Sequence, residues 1–304
     1  MPSETTNLMK TNLQERAENA VAKFDNARKP VVFEFAGVPK AGKTSTLGAL
    51  QAFLKRCGFR VEVVVERASV CPIRDKKHAN FNVWTACTTL AQILEKTQNP
   101  PRPDDPHVLI LDRGLFDAIC WLSLMEHLER IRPEERRIVE DFIKIGDWRK
   151  RISAVFVMKV QPNDAMTREQ GLLPVESGKG SIMNVEVLQQ MLDTIEATVA
   201  KLKGDFRIFE IDTSGDSEDG PRITAEKVAD FALNIIEEHL REDILFLPRE
   251  SVTNLFNGKR FIQIAPTKEL IHSVSELGKF LPRDEVESDS HKIQVLPVVI
   301  IRNK

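Results

Sequence analysis

The stretch VVFEFAGVPKAGKTS, Val31 to Ser45, decides how the rest of the chain is read. Its first six residues, Val31 to Ala36, are a short apolar run that suits a buried strand. Gly37-Val38-Pro39-Lys40-Ala41-Gly42-Lys43-Thr44 then matches the G-x-x-x-x-G-K-[ST] phosphate loop, and helix-forming residues follow to about Lys55. Strand, glycine loop and helix in that order is the context the motif requires. The glycines let the backbone curl so that successive N–H groups face phosphate oxygens. The following helix adds the partial positive charge of its N-terminus. Lys43 can reach the β- and γ-phosphates, and the Thr44 hydroxyl can ligate Mg²⁺. Gly37, Lys40, Ala41, Gly42, Lys43, Thr44 and Ser45 are therefore expected to hold a nucleoside triphosphate, with ATP and Mg²⁺ as cofactors.

Working outward, four further apolar runs read as strands: Arg60 to Glu66, His107 to Asp112, Ser153 to Val160 and Phe206 to Asp212. Helical patterns lie between them, at residues 78–96, Phe116 to Arg130, Pro133 to about Trp148, and from Pro162 to about Lys203. The last of these is interrupted by the polar Gly-rich loop GLLPVESGKGS, Gly171 to Ser181. Ala225 to Arg241 closes the series. Strands alternating with helices predict an α/β fold with a five-stranded parallel sheet and helices on both faces. Residues 12–28 read as an amphipathic helix that covers this core, with Leu13, Ala17, Val21 and Phe24 at helical spacing. The division expected is 1–28 for that helix, 29–242 for the α/β domain and 243–304 for a small appendage or the start of a further domain.

Composition narrows the function classes. Hydrophobic residues at 42% and charged residues at 29% support a real core. Lys and Arg total 43 against 45 Asp and Glu, a net charge of -2, which argues against a broad footprint for nucleic acid or anionic membrane. No apolar run approaches the ~20 residues of a membrane helix, and the start MPSETTNLMK does not read as a secretory signal. Cys57, Cys71, Cys87 and Cys120 show no metal-ligand spacing, so a reduced, cytoplasmic protein without a cysteine-bound metal is expected.

In parallel sheets of this kind, ligands bind at the carboxyl ends of the strands. Those ends carry Glu66-Arg67, Asp112-Arg113-Gly114 and Asp212-Thr213-Ser214, with Arg168-Glu169 and Lys179 on the helix and loop after the fourth strand. Taken together, VVFEFAGVPKAGKTS, VVVER, VLILDRGLFD, TREQG with its Gly-rich loop, and IFEIDTS resemble the thymidylate kinase and deoxynucleoside kinase group of P-loop kinases over residues 30–240. The resemblance implies that Asp112 helps to hold Mg²⁺ and that Arg113 contacts the phosphoryl region. It implies that Glu66 acts as base on the acceptor hydroxyl, and that Arg168 and Lys179 form part of a lid closing over phosphates. Here the acidic-Arg pair is followed by Gly114, where the group has Ser or Tyr, and the Glu-Pro-Gly-Gly and Glu-x-x-x-x-Trp stretches of its two branches are absent. Phe280 to Ile300 resembles the lead-in of some Nudix hydrolase domains, without the Nudix catalytic box.

The chemistry also follows from the residues. Phosphoryl transfer needs alignment and positive charge around the moving group, which Lys43, Mg²⁺, Arg113, Arg168 and Lys179 would supply. Glu66 reads either as the group orienting the attacking oxygen or as a surface partner of Arg67 or Arg74. Phe81, Asn82 and Trp84 lie where the kinase group places its acceptor helix; the two aromatics read equally as a stacking face or as helix core. Asp117 and Trp121, one helical turn apart, are expected to face the same cleft, with Asp117 on a ribose hydroxyl or a base. Asp212 and Thr213 complete the cofactor set. The expectation is an ATP- and Mg²⁺-dependent kinase acting on a nucleoside or nucleoside monophosphate. The alternative is a nucleotide-binding switch or sensor NTPase that signals to a protein partner through the C-terminal segment. Strand edges at residues 261–265 and 293–301 would suit homodimerisation.

Overall fold

The computed structural model describes residues 4–24, 29–98, 101–102, 104–172, 182–215, 217–241, 243–250, 268–282 and 286–294. The apolar runs form the strands β1 (Val31–Gly37), β2 (Val61–Val64), β3 (Val108–Asp112), β4 (Ala154–Lys159) and β5 (Ile208–Asp212). They build one parallel sheet in the order β2-β3-β1-β4-β5. β1, β3 and β4 are buried almost throughout, as apolar strands covered on both faces must be.

The helices of this unit are α1 (Glu4–Ala22), α2 (Lys43–Arg56), α3 (Ala79–Lys96), α4 (Leu115–His127), α5 (Pro133–Ile143), α6 (Gly146–Arg149), α7 (Pro162–Leu172), α8 (Val185–Leu202) and α9 (Gly220–Leu240). α2 carries the chain from β1 past β3 to β2, whereas the crossovers bearing α3, α4 and α8 run the opposite way along the sheet. Right-handed connections therefore put α2 on one face and the packed layer α3, α4 and α8 on the other. The fold is the predicted α/β sheet with helices on both sides.

Two boundaries differ from the sequence reading. α1 starts and ends earlier than residues 12–28; Leu13, Ala17 and Ala20 are its buried stripe, while Phe24 lies past its end and stacks on His107 at 4.5 Å. Arg16 fastens α1 to α9 through Asp230 at 2.6 Å and Glu237 at 2.8 Å. β2 stops at Val64, because Val65 and Glu66 turn into a 3₁₀ segment at Arg67–Ser69. Glu66 thus follows the strand rather than ending it.

The chain divides into two compact units, Met1–His239 and Leu240–Lys304. In the second, β6 (Asp243–Pro248) pairs antiparallel with β7 (Lys279–Pro282) and β8 (Lys292–Gln294), with α10 (Lys268–Leu277) between β6 and β7 in sequence. The sheet is built around DILFLP, a run that the pattern reading missed. Of the expected runs at 261–265 and 293–301, only Ile293 and Gln294 are described, in β8; the rest lies outside the described residues. No helix among the described residues is long and apolar enough to cross a membrane.

Candidate functional site

β1 lies where the connections reverse direction, so the ends of β1 and β3 open a crevice between α2 on one face and α4 on the other. The phosphate loop fills its floor. Gly37 has a φ of 129°, and a Cβ there would come within 2.0 Å of the Met158 carbonyl oxygen on β4; only glycine can end the strand and begin the curl. Gly42, at φ 82°, starts α2, whose first turn carries neither a side-chain cap nor an acidic residue. The helix N-terminus therefore faces the crevice without a negative side chain of its own.

Lys43 arches back over the loop and donates to the carbonyls of Gly37 at 3.0 Å and Val38 at 2.6 Å. Its ammonium is buried, and burial, reinforced by the nearby Arg113 charge, brings its pKa down to about 7. The charges of Asp117, Asp112 and Glu66 pull the other way. Thr44 and Ser45 are exposed at the start of α2. Behind the loop, the Thr213 hydroxyl donates to the Ala41 carbonyl at 3.2 Å, and Arg168 donates to the carbonyls of Lys40, at 3.1 Å, and Thr213. Lys40 pairs with Glu169. Asp212 turns onto its own loop, accepting from the Ser214 N–H and hydroxyl, which hold its carboxyl below the usual range. Arg168 and Thr213 therefore brace the phosphate loop, while Asp212 holds the turn after β5. Lys179 lies outside the described residues.

The strand-end residues form one charged cluster. Arg113 sits at φ 64°, left-handed backbone in a residue with a Cβ, held by its own N–H on the Phe35 carbonyl at 3.0 Å. Its guanidinium meets Glu66 at 2.7 Å and both Asp117 oxygens at 2.9 and 3.1 Å, and lies 5.9 Å from the Trp121 ring centre. Burial opposes the Arg113 charge, but Asp117 and Glu66 more than offset it, so its pKa is raised and it remains a cation. Asp112, level with Phe35 of β1, has its carboxyl pushed up by burial and by the charge of Glu66. Glu66 is paired with Arg113, not with Arg67 or Arg74.

Asp117 is almost fully buried, and besides Arg113 its Oδ1 accepts the Gly37 N–H at 3.2 Å. Its carboxylate ties the acidic-Arg turn to the first residue of the phosphate loop, and Asp117 and Trp121 line one cavity, the shared cleft expected of them.

A cavity of about 450 Å³ adjoins this cluster, lined by Pro39 of the loop, Glu66 and Arg113, residues of α3 and α4 including Phe81, Asn82, Asp117 and Trp121, and Met183. Phe81 faces it as expected. Asn82 reaches it, although its Nδ2 is committed to the Ala118 carbonyl on α4 at 2.9 Å. Trp84 is not among the lining residues; Arg67 lies over its ring at 5.8 Å. Arg67, Lys76 and Thr85, also on the wall, were not singled out from sequence.

The residue that sequence reasoning missed altogether is Glu34. It is fully buried in β1, and its carboxylate accepts the N–H groups of Phe116 at 3.1 Å and Asp117 at 2.8 Å at the start of α4. Burial pushes its pKa up to about 7, against the pull of those N–H donors. The available signal was a lone acid inside an otherwise apolar strand.

No protein-family model matches the chain, and no curated protein does. Two solved structures of deoxyadenosine kinase from M. mycoides are similar at 15% identity over all of their own chains. The one with bound dCTP covers 66% of this chain at a TM-score of 0.48; the one with the products dCMP and a flexible dCDP covers 67% at 0.49. Likenesses this distant carry nothing about activity, and the fold stands on the strand order itself.

Proposed function

We propose that this chain is a phosphotransferase that moves the γ-phosphoryl group of ATP to a nucleoside or nucleoside monophosphate bound in the cavity beside the phosphate loop. One observation supports the reading above the others. The loop that suits a triphosphate and the cavity that suits a small acceptor share a wall, contributed by Pro39, Glu66 and Arg113. A donor phosphate over Lys43 and an acceptor oxygen near Glu66 would then meet at Arg113. Such alignment is the larger part of what phosphoryl transfer asks of a protein.

In this reading the N–H groups at the start of α2 and the Lys43 ammonium hold the β- and γ-phosphates. Arg113, fixed between Asp117 and Glu66, offers its charge to the group in transit. Glu66, half exposed at the cavity wall, orients an acceptor hydroxyl through its second oxygen; a phosphate acceptor would not need this. Arg168 and Thr213 keep the loop in shape from behind.

The donor set fits Mg²⁺. The Thr44 hydroxyl and the Asp112 carboxylate are hard oxygen ligands, and Asp112 is crowded by the negative Glu66 and Asp117, a field that a divalent cation relieves. Thr44 and Asp112 would hold the ion, which would supply positive charge against the phosphates.

The test is coupled ADP release across a panel of nucleosides and nucleoside monophosphates. ADP release that requires one of these acceptors, and is lost in Lys43→Ala and Asp112→Ala, supports the proposal. ADP formation indifferent to every acceptor overturns it.

A further inference from the structure

The turn from β3 into α4 is an abrupt one. Asp112 ends the strand, Arg113 adopts left-handed backbone, and α4 begins at Leu115 with no cap from the side chain of its own N-cap position, where Gly114 stands. The start of a helix leaves several N–H groups without helical partners. Here they are served from a different strand: Glu34 of β1 accepts from Phe116, from Asp117 and from the Gly114 backbone. Asp117, in that same first turn, holds Arg113 and the Gly37 N–H. The chain of contacts thus runs from Glu34 to the start of α4, through Asp117, to both the phosphate loop and the Arg113 guanidinium.

Gly114, at the N-cap of α4, packs directly against the Glu34 carboxylate. Its φ of -147° lies outside the left-handed region, so no positive φ calls for glycine here. Space does. A Cβ at this position would lie 2.6 Å from the Glu34 Cδ and 2.6 Å from its Oε2. The two carboxylate oxygens are held by the Phe116 and Asp117 N–H groups, so the carboxylate cannot swing away without releasing the cap. The glycine in this acidic-Arg-Gly turn is explained by the acid on the neighbouring strand.

We infer that Glu34 is a positioning residue for phosphoryl transfer, its buried carboxylate setting the Asp112–Asp117 turn against the phosphate loop, and that Gly114 is the partner its bulk requires. This rests on the phosphotransferase reading for its consequence, but the coupling between residues 34 and 114 stands apart from it.

The experiment is a double-mutant cycle on the full chain, reading Mg·ATP affinity by calorimetry and the melting temperature of the ligand-free protein. Gly114→Ala is expected to weaken Mg·ATP binding at least tenfold. In a Glu34→Ala background, where the space is open, adding Gly114→Ala should change affinity less than twofold. In a Glu34→Gln background, where the bulk remains, the tenfold loss should persist. Rescue by truncation but not by the isosteric amide is a pattern that general loss of stability does not produce. Glu34→Ser supplies a second truncation should the alanine protein not purify. A Gly114→Ala penalty of equal size in all backgrounds, or none in the wild type, overturns the inference. Should the wild-type chain not bind Mg·ATP, or Lys43→Ala bind it equally well, the proposed function fails; the same rescue pattern read in melting temperatures still decides the coupling.

Discussion

Replacing Glu34 by glutamine should change how the stability of the chain depends on pH, by an amount that the burial of this carboxyl sets. In the unfolded chain a glutamate loses its proton near 4.5; in the native protein burial holds Glu34 protonated up to about 7. Below the lower value both states carry the proton and the group is neutral to folding. As pH rises between the two, the unfolded chain ionises first, so the native state loses stability until its own carboxyl ionises near 7. At about 1.4 kcal/mol for each pKa unit, the span corresponds to about 3 kcal/mol lost by wild type between pH 4.5 and pH 8. Glutamine cannot titrate. The stability of wild type minus that of Glu34→Gln, from urea unfolding at several pH values, should therefore fall by about 3 kcal/mol across that range, with titrating groups remote from Glu34 cancelling in the difference. A difference that stays flat within about 0.5 kcal/mol, or rises with pH, would refute the reasoning that burial outweighs the N–H donors around this carboxyl.

Three further outcomes are expected. Gly37→Ala forces a Cβ into the Met158 carbonyl at a strained φ, and should cost roughly 3–5 kcal/mol in chemical unfolding and remove Mg·ATP binding. Asp117→Asn leaves an acceptor for the Gly37 N–H but removes one of the two carboxylates paired with Arg113; thermal unfolding should report a loss of about 3 kcal/mol. Phe81→Ala should raise the acceptor KM severalfold while Trp84→Ala leaves it within about twofold, since Phe81 lines the cavity and Trp84 does not; equal effects in steady-state kinetics would mean that the cavity is not the acceptor site.

The parts of the fold dictated by local chemistry were legible in the sequence. Gly37 and Gly42 stand where positive φ is required, and Lys43-Thr44 opens a helix directly after a buried strand. The five strands announced themselves as β-rich apolar runs, and their alternation with helices fixed the parallel sheet. What could not be read was the choice of partner. Glu66, Asp117 and Arg113 were each visible at a strand end or a first helical turn. That Arg113 takes both acids, and that Asp117 reaches Gly37, depends on how β1, β3 and α4 meet in space. The four-residue spacing of Arg113 and Asp117 was the one local hint. Trp84 and Phe81 lie three apart on one helix, close enough in angle that periodicity alone could not separate the cavity wall from the ring beneath Arg67. β6 and β7 escaped because short runs containing proline carry little periodic signal.

In the proposed reaction the triphosphate over Lys43 delivers its terminal phosphoryl group across the shared wall to a second small molecule. Phosphorus NMR of the full chain with ATP, Mg²⁺ and the nucleoside and nucleoside monophosphate panel follows that group directly. The γ-phosphorus resonance is expected to move to an added acceptor, and the transfer to vanish in Lys43→Ala. Its appearance solely as inorganic phosphate, at a rate no acceptor alters, would show that the chain is not a phosphotransferase.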